Sequence, residues 1–214
     1  LNPQQFVQLL RDYGINNPDI HASMSLCLGP CEVSVSEMVS AYTAFANHGI
    51  RTSPLFVSRI EDNEGNTIAT FQPRMNEVIS ADNAMKMLTM LMGVVDQGTA
   101  GRLRYRYNME GQIGAKTGTT NNNSDGWFIG FTPQLVTGCW VGGEDRDIHF
   151  DSMSMGQGAT MALPIWAIFM KKVYADPTLG FSPMEKFDIP ADYNPCASKT
   201  EYEFGEEGID EVFE

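Results

Sequence analysis

The sequence predicts an α+β fold in which an antiparallel sheet is flanked by helices. Three observations predict it. Segments with helical apolar spacing occur near the start, in the middle and near the end, at 3–13, 34–47, 82–95 and 161–174. Three β-like runs follow one another at 113–119, 127–131 and 135–141, as in a meander. No βαβ alternation and no internal repeat is present, so the pattern is that of helices packed on an antiparallel sheet.

The elements follow in order. Pro3 to Tyr13 carries Phe6, Val7, Leu9 and Leu10 on a short amphipathic helix, and Gly14 stands where a helix C-cap prefers glycine. Ser23 to Cys31 reads as a loop. Ser34 followed by Glu37 is a helix-start signature, and Met38, Ala41, Tyr42 and Phe45 then sit at helical spacing up to Gly49. Leu55 to Glu61 alternates, Thr67 to Phe71 is a second β-like run, and Asp62 to Asn66 is a turn cluster between them; together they predict a hairpin. Asp82 to Val95 is rich in Met and apolar nearly all round, which predicts a central buried helix rather than a peptide-binding Met surface. Gly98 to Tyr107 reads as a loop. The second and third sheet strands flank the turn Thr132-Pro133-Gln134. A last helix is predicted from Met161 to Tyr174, with Pro164 in its first turn, where proline is tolerated.

Composition bounds the function. The 214 residues are 43% hydrophobic and 19% charged, which fits a folded core rather than disorder. The net charge of −13 argues against nucleic acid, whose phosphates need clustered Lys and Arg. The longest apolar run, Ala159 to Met170, is 12 residues, short of the ~20 of a membrane span. Lys199 to Glu214 holds seven acids and one base, so 199–214 is expected to be a disordered acidic tail and 1–198 the folded part. The absence of a start methionine and of a signal peptide suggests a fragment or a processed product. Of four cysteines, Cys27 and Cys31 form C-L-G-P-C, whose turn would permit a disulfide in an oxidising compartment; two unpaired half-buried thiols are the other reading. Scattered His21, His48 and His149 give no zinc-ligand spacing, and no cofactor is expected.

Residues 111–143 carry the chemistry. Lys116-Thr117-Gly118-Thr119 puts an ammonium and two hydroxyls at the end of an apolar strand. Alternation puts Thr117 and Thr119 on one face and Lys116 on the other. Gly118 allows another backbone or a ligand to come close. An extended ligand could pair with this strand if it is an edge, with the hydroxyls and the cation near its carboxylate. By itself K-T-G is more readily a surface turn after a strand.

The surrounding sequence resembles the penicillin-binding transpeptidases. K-T-G is one of that group's three signatures, with S-x-x-K and S-D-N. The stretch Thr120-Asn121-Asn122-Asn123-Ser124-Asp125-Gly126-Trp127-Phe128-Ile129-Gly130-Phe131-Thr132-Pro133 is similar to the bifunctional class A branch. So are residues 26–47 and Pro164-Ile165-Trp166, and the resemblance extends over roughly residues 1–175. The sequence also departs from the family pattern. No serine has Lys three positions on, and no S-x-N occurs. An N-terminal truncation just after the second motif would account for both absences, and an inactive homologue is the competing account.

The resemblance implies a central antiparallel sheet flanked by helices, incomplete here. It implies an active Ser that attacks the D-Ala-D-Ala bond of a peptidoglycan stem peptide, an acyl-enzyme resolved by an amine of a second stem, and acylation by β-lactams. Carried over, Lys116 supplies positive potential near the donor carboxylate. Thr117 and Thr119 bind that carboxylate or the donor peptide, Gly118 leaves room for it, and the Thr119 N–H is half of the oxyanion hole. The nucleophile and its base are not among these residues. Trp127 is expected in the sheet core. The parent protein is expected to be membrane-anchored on the extracytoplasmic side of the cell envelope, with a glycosyltransferase domain and cell-wall synthesis machinery as partners. A non-catalytic module that binds stem peptides or a partner, and a D,D-carboxypeptidase or β-lactamase relative, are the alternatives. Arg102, Arg104 and Arg106 with Tyr105 and Tyr107, Asn121 to Asn123 with Asp125, and Glu144, Asp145 and Asp147 are weighed as secondary site candidates and read as solvated loops.

Overall fold

A computed structural model describes residues 2–196. The segment expected to be an acidic tail lies outside the described residues. Helix α1 (Pro3–Asp12) opens with Pro3 in its first turn and the Asn2 side chain on the Gln4 N–H. It closes as the sequence predicts. Gly14 takes φ +84°, its N–H bonds the Arg11 carbonyl at 2.8 Å, and the Ile15 N–H bonds that of Leu10 at 2.9 Å; this is a Schellman end. A 3₁₀ turn at Met24–Leu28 follows, and Cys27 and Cys31 on either side of its end are both free thiols.

Helix α2 (Val35–Ala46) starts with a complete capping box. The Glu37 N–H donates to Ser34 Oγ at 3.2 Å, and the Ser34 N–H donates to Glu37 Oε2 at 2.8 Å. The Asn16 N–H donates to Oε1 of the same carboxylate at 3.1 Å, so Glu37 also ties the start of α2 to the end of α1.

Strand β1 (Ile50–Thr52) leads to the β2 (Arg59–Glu61) and β3 (Thr67–Thr70) hairpin, and β4 (Met75–Glu77) returns to pair with β1. The predicted strand from Leu55 is shorter than its alternation suggests. Leu55, Phe56 and Val57 are exposed, Phe56 to 86%, because the hairpin has only two strands and no layer among the described residues covers it. Pairing of β1 with β4, across 25 positions, had no local signal in three-residue strands.

Helix α3 (Ala81–Asp96) buries one stripe, Ala84, Leu88, Leu91 and Val95, while Met90 is exposed. The helix expected to be central and buried is so along this stripe, which enters two core clusters, while its other side stays at the surface. The short helix α4 (Arg102–Tyr105) replaces part of the predicted loop. The sheet is the predicted meander, β5 (Gly114–Thr119), β6 (Asp125–Phe131) and β7 (Val136–Gly142), all antiparallel in the order β5-β6-β7.

A short helix α5 (Met153–Gly156) precedes α6 (Gly158–Ala175), which starts three residues earlier than predicted. Pro164 therefore lies in the helix interior, where it leaves the Thr160 carbonyl without its usual donor. That turn is held from outside by Arg102, whose Nη1 donates to the Ala159 carbonyl at 3.2 Å and to Thr160 Oγ1 at 2.8 Å.

Opposite residues of paired strands share a face. Phe128 and Ala115 therefore face α6, in a cluster with Leu163, Trp166, Ala167 and Met170. Phe131 faces the other layer, with Leu88 and Leu91 of α3 and Tyr42 and Phe45 of α2. Trp166 satisfies its indole N–H on the Gly130 carbonyl at 3.2 Å and packs edge-on to Phe128 at 5.4 Å.

Partial burial alone would raise the Glu37 pKa, but the donors from Ser34 and Asn16 outweigh it and hold the carboxyl below its ordinary value. A depressed folded-state pKa contributes stability above the unfolded value of about 4.3 and loses it as pH falls through the lower folded value. Ser34→Ala should cost about 1 kcal/mol near neutral pH. Glu37→Gln should flatten the acid limb of the stability curve in urea titrations. An acid limb as steep as that of the unsubstituted chain would show that Glu37 is not its source.

Candidate active site at the β5 edge

Lys116-Thr117-Gly118-Thr119 forms the C-terminal part of β5. The ladder continues one step further, with the Thr120 N–H on the Asp125 carbonyl at 3.2 Å. Hydrogen-bonded and non-bonded pairs alternate along an antiparallel ladder. With Gly118 opposite Trp127 and Thr119 opposite Gly126, residues 114, 116 and 118 turn their backbone groups toward β6. Residues 115, 117 and 119 turn theirs outward. Among the described residues β5 pairs only with β6, so the Thr117 and Thr119 backbone groups line an unpaired edge. The exposed Lys116 ammonium folds round that edge and donates to the Thr117 carbonyl at 2.7 Å.

Thr117 and Thr119 lie on the α6 face, and Lys116 lies on the opposite face with Ile129. Each hydroxyl has a fixed partner. Thr119 Oγ1 accepts the Gly158 N–H at 3.0 Å and so caps α6 from another element, since Gln157 at the cap position offers no side-chain bond. Accepting that bond leaves the Thr119 hydroxyl proton free to donate. Thr117 Oγ1 pairs with Thr99 Oγ1 at 2.9 Å. The N-terminus of α6, with its partial positive charge, thus ends against the strand that carries Lys116.

Two glycines make this approach possible. A Cβ on Gly158 would lie 2.4 Å from both the Gly118 and the Trp127 carbonyl oxygens, so the start of α6 rests directly on strand backbone. A Cβ on Gly118 would stand 3.1 Å from the Trp127 Cβ, so Trp127 occupies the face beside it. Trp127 is half-buried rather than core, because it lies at the sheet end and packs on Trp140, itself 42% exposed, at 6.5 Å.

The secondary candidates divide: Arg102, Arg104 and Asn123 depart from their reading as solvated loops, and Tyr105, Asp145 and Asp147 agree with it. Arg102 braces α6, and Arg104 binds Asp96 at 2.8 Å and the Met109 carbonyl at 2.9 Å; both are structural. Arg106 lies over the Tyr107 ring at 6.0 Å, and Tyr105 is exposed. Asn123 is half-buried at φ +54°; its carbonyl accepts the Phe150 N–H and its Nδ2 donates to the Phe150 carbonyl, both at 3.3 Å. It ties the loop after β5 to the segment after β7. Asp145 and Asp147 form an exposed turn, with the Asp147 N–H on Asp145 Oδ1 at 3.1 Å. Among the described residues no three His, Cys, Asp or Glu side chains gather as a metal site requires. Sequence reading missed Thr99 and Gly158, because both reach the site through contacts made only in the folded chain.

A family model for the penicillin-binding protein transpeptidase domain matches residues 8–141. The chain is 36% identical over 166 residues to penicillin-binding protein 1A of Aquifex aeolicus, covering 78% of this chain and 21% of that protein. It is 35% identical over 169 residues to penicillin-binding protein 1A of Neisseria meningitidis serogroup B, covering 77% and 21%. The chain thus spans about a fifth of the length of the curated relatives it matches. Among solved structures, penicillin-binding protein 1A from Haemophilus influenzae superposes with a TM-score of 0.75 at 24% identity, over 88% of this chain and 32% of that one. PonA1 from Mycobacterium tuberculosis superposes with a TM-score of 0.72 at 24% identity, over 89% and 53%. The α+β architecture, an antiparallel sheet flanked by helices, is the fold of these neighbours.

The contact between α6 and β5 predicts two effects. Gly158→Ala forces a methyl onto two carbonyl oxygens and should cost about 1–3 kcal/mol in denaturant unfolding. Thr119→Val removes the cap on α6 and should cost about 1 kcal/mol, whereas Thr119→Ser should restore most of it. Unchanged unfolding midpoints for Thr119→Val would show that the cap contributes nothing.

Proposed function

The chain belongs to the penicillin-binding protein transpeptidase family, and from that premise we infer that it forms the ligand-holding strand of a peptidoglycan D,D-transpeptidase. The observation that carries this reading is the K-T-G-T segment on an unpaired edge with its hydroxyl donors anchored. A donor stem peptide in extended form would add to β5 as a further strand, using the outward backbone groups of Thr117 and Thr119. Its terminal carboxylate would meet the Thr117 and Thr119 hydroxyls. The Lys116 ammonium would leave the Thr117 carbonyl and supply positive potential, and Gly118 keeps this part of the strand free of bulk.

The chemistry is acyl transfer. A serine Oγ attacks the D-Ala-D-Ala carbonyl, the terminal D-Ala departs as an amine, and an ester to the serine results. The amine of a second stem then attacks the ester, forming the cross-link and regenerating the hydroxyl. The developing oxyanion would lie between the Thr119 N–H and the serine's own N–H. A β-lactam carbonyl would acylate the same serine by ring opening. No serine of these 214 residues has Lys three positions on, so we assign the nucleophile and its base to chain outside them. We place residues 1–198 in the transpeptidase domain, and its work on the extracytoplasmic side of the cell envelope. The parent would carry a membrane anchor and a glycosyltransferase domain; among the described residues no helix is long and apolar enough to cross a membrane.

Fluorescent penicillin tests the reading. A longer form of the protein that includes an S-x-x-K sequence should be labelled covalently, and the 214 residues alone should not. In the longer form Lys116→Ala should slow labelling about ten- to a hundredfold, the scale of a lost charged hydrogen bond. Labelling of the 214 residues alone would overturn the assignment of the nucleophile. No labelling of the longer form, with saturable D-Ala-D-Ala peptide binding by these residues, would replace the enzyme by a stem-peptide-binding module.

A further inference from the structure

The hydroxyl pair between Thr99 and Thr117 is 2.9 Å long and joins the edge strand to the turn between α3 and α4, 18 residues away. That turn is stapled on every side. Ala100 is fully buried in the α6-face cluster, and its N–H bonds the Val94 carbonyl at 3.0 Å. The Gly101 N–H bonds the Gly98 carbonyl at 3.1 Å, and the Leu103 N–H bonds that of Ala100 at 2.9 Å. Arg102 then ties the next residue to the first turn of α6. Thr99 itself is exposed, so it stands as a rigid post beside Thr117 at the surface.

The proton inventory gives this post a role. Two hydroxyls hold two protons, and one lies in the bond between them. If Thr117 donates to Thr99, the Thr117 proton is spent and cannot reach a ligand. If Thr99 donates to Thr117, the Thr117 proton points outward. An incoming carboxylate selects the second arrangement, in which each bond polarises the next. The Thr119 hydroxyl is fixed in the corresponding way, since its acceptor side is taken by the Gly158 N–H.

We propose that Thr99 is a positioning residue for the ligand carboxylate: by donating to Thr117 Oγ1 it aims the Thr117 proton at that carboxylate. The proposal rests on the transpeptidase reading of β5 and extends the binding site to a residue outside the strand.

The test uses the longer form of the protein and a carboxylate-bearing fluorescent penicillin. The half-saturating concentration and the limiting acylation rate are measured separately for the unsubstituted protein, Thr99→Val and Thr99→Ser, with the melting temperature of each. Thr99→Val keeps the shape and removes the hydroxyl. It should raise the half-saturating concentration roughly five- to tenfold, the scale of one hydrogen bond between neutral groups, with little change in limiting rate or melting temperature. Thr99→Ser should restore it. An unchanged half-saturating concentration in Thr99→Val, a loss confined to the limiting rate, or a loss that serine does not rescue would overturn the proposal while leaving the transpeptidase reading intact. An unsubstituted protein that is not acylated would overturn both.

Discussion

The first turn of α6 rests directly on the backbone of β5 and β6, and the arrangement of the rest follows from that contact. A helix comes this close to a sheet only where no side chain intervenes. Gly158 removes the Cβ on the helix side, and Gly126 removes it on the strand side, where it would meet Gly158 and Met161. Once seated, the helix needs a cap it does not carry, and the Thr119 hydroxyl supplies it. One bond therefore seats α6 on the sheet and fixes the rotamer of a side chain on the unpaired edge. Stability and site geometry are the same interaction here.

The second consequence concerns α4. A proline in the interior of α6 weakens its first turns, and Arg102 compensates by reaching across to the Ala159 carbonyl and the Thr160 hydroxyl. Arg102 is next to the buried Ala100 turn that holds Thr99 against Thr117. A closed circuit results: strand to helix through Thr119, helix to α4 through Arg102, and back to the strand through Thr99. Both threonines of the strand are thereby positioned by parts of the chain that are distant in sequence.

How much of this was legible follows from where each signal resides. Local signals read true: Gly14 as a left-handed helix end, Ser34 with Glu37 as a capping box, and the three-strand meander in its order. The Lys116 and threonine faces followed from alternation, given the strand. What failed depended on tertiary contact. The last helix reads from Met161, yet it starts at Gly158, a glycine that is helical and allows the close approach to the sheet. Asn123 reads as a solvated turn residue, yet it anchors two loops. Leu55 to Val57 alternates like a covered strand, but among the described residues nothing covers the two-stranded hairpin. Thr99 carries no signal at all, because its importance lies in one oxygen 18 positions away.

The charge of the chain sharpens what the edge must do. A net charge of −13 opposes a carboxylate ligand at long range. That repulsion is screened over about 8 Å at physiological ionic strength, so binding is decided by the groups within contact of the anion. Lys116 has no ion-pair partner among the described residues, and its ammonium rests on a neutral carbonyl. It is therefore held near the edge by a bond weak enough to be exchanged for a ligand. The hydroxyls beside it cost little reorganisation on binding, because their heavy atoms are already pinned and only protons need to turn. On the proposed reading, such preorganisation would let an acidic protein hold an anion without a basic patch, by a few donors fixed before the ligand arrives.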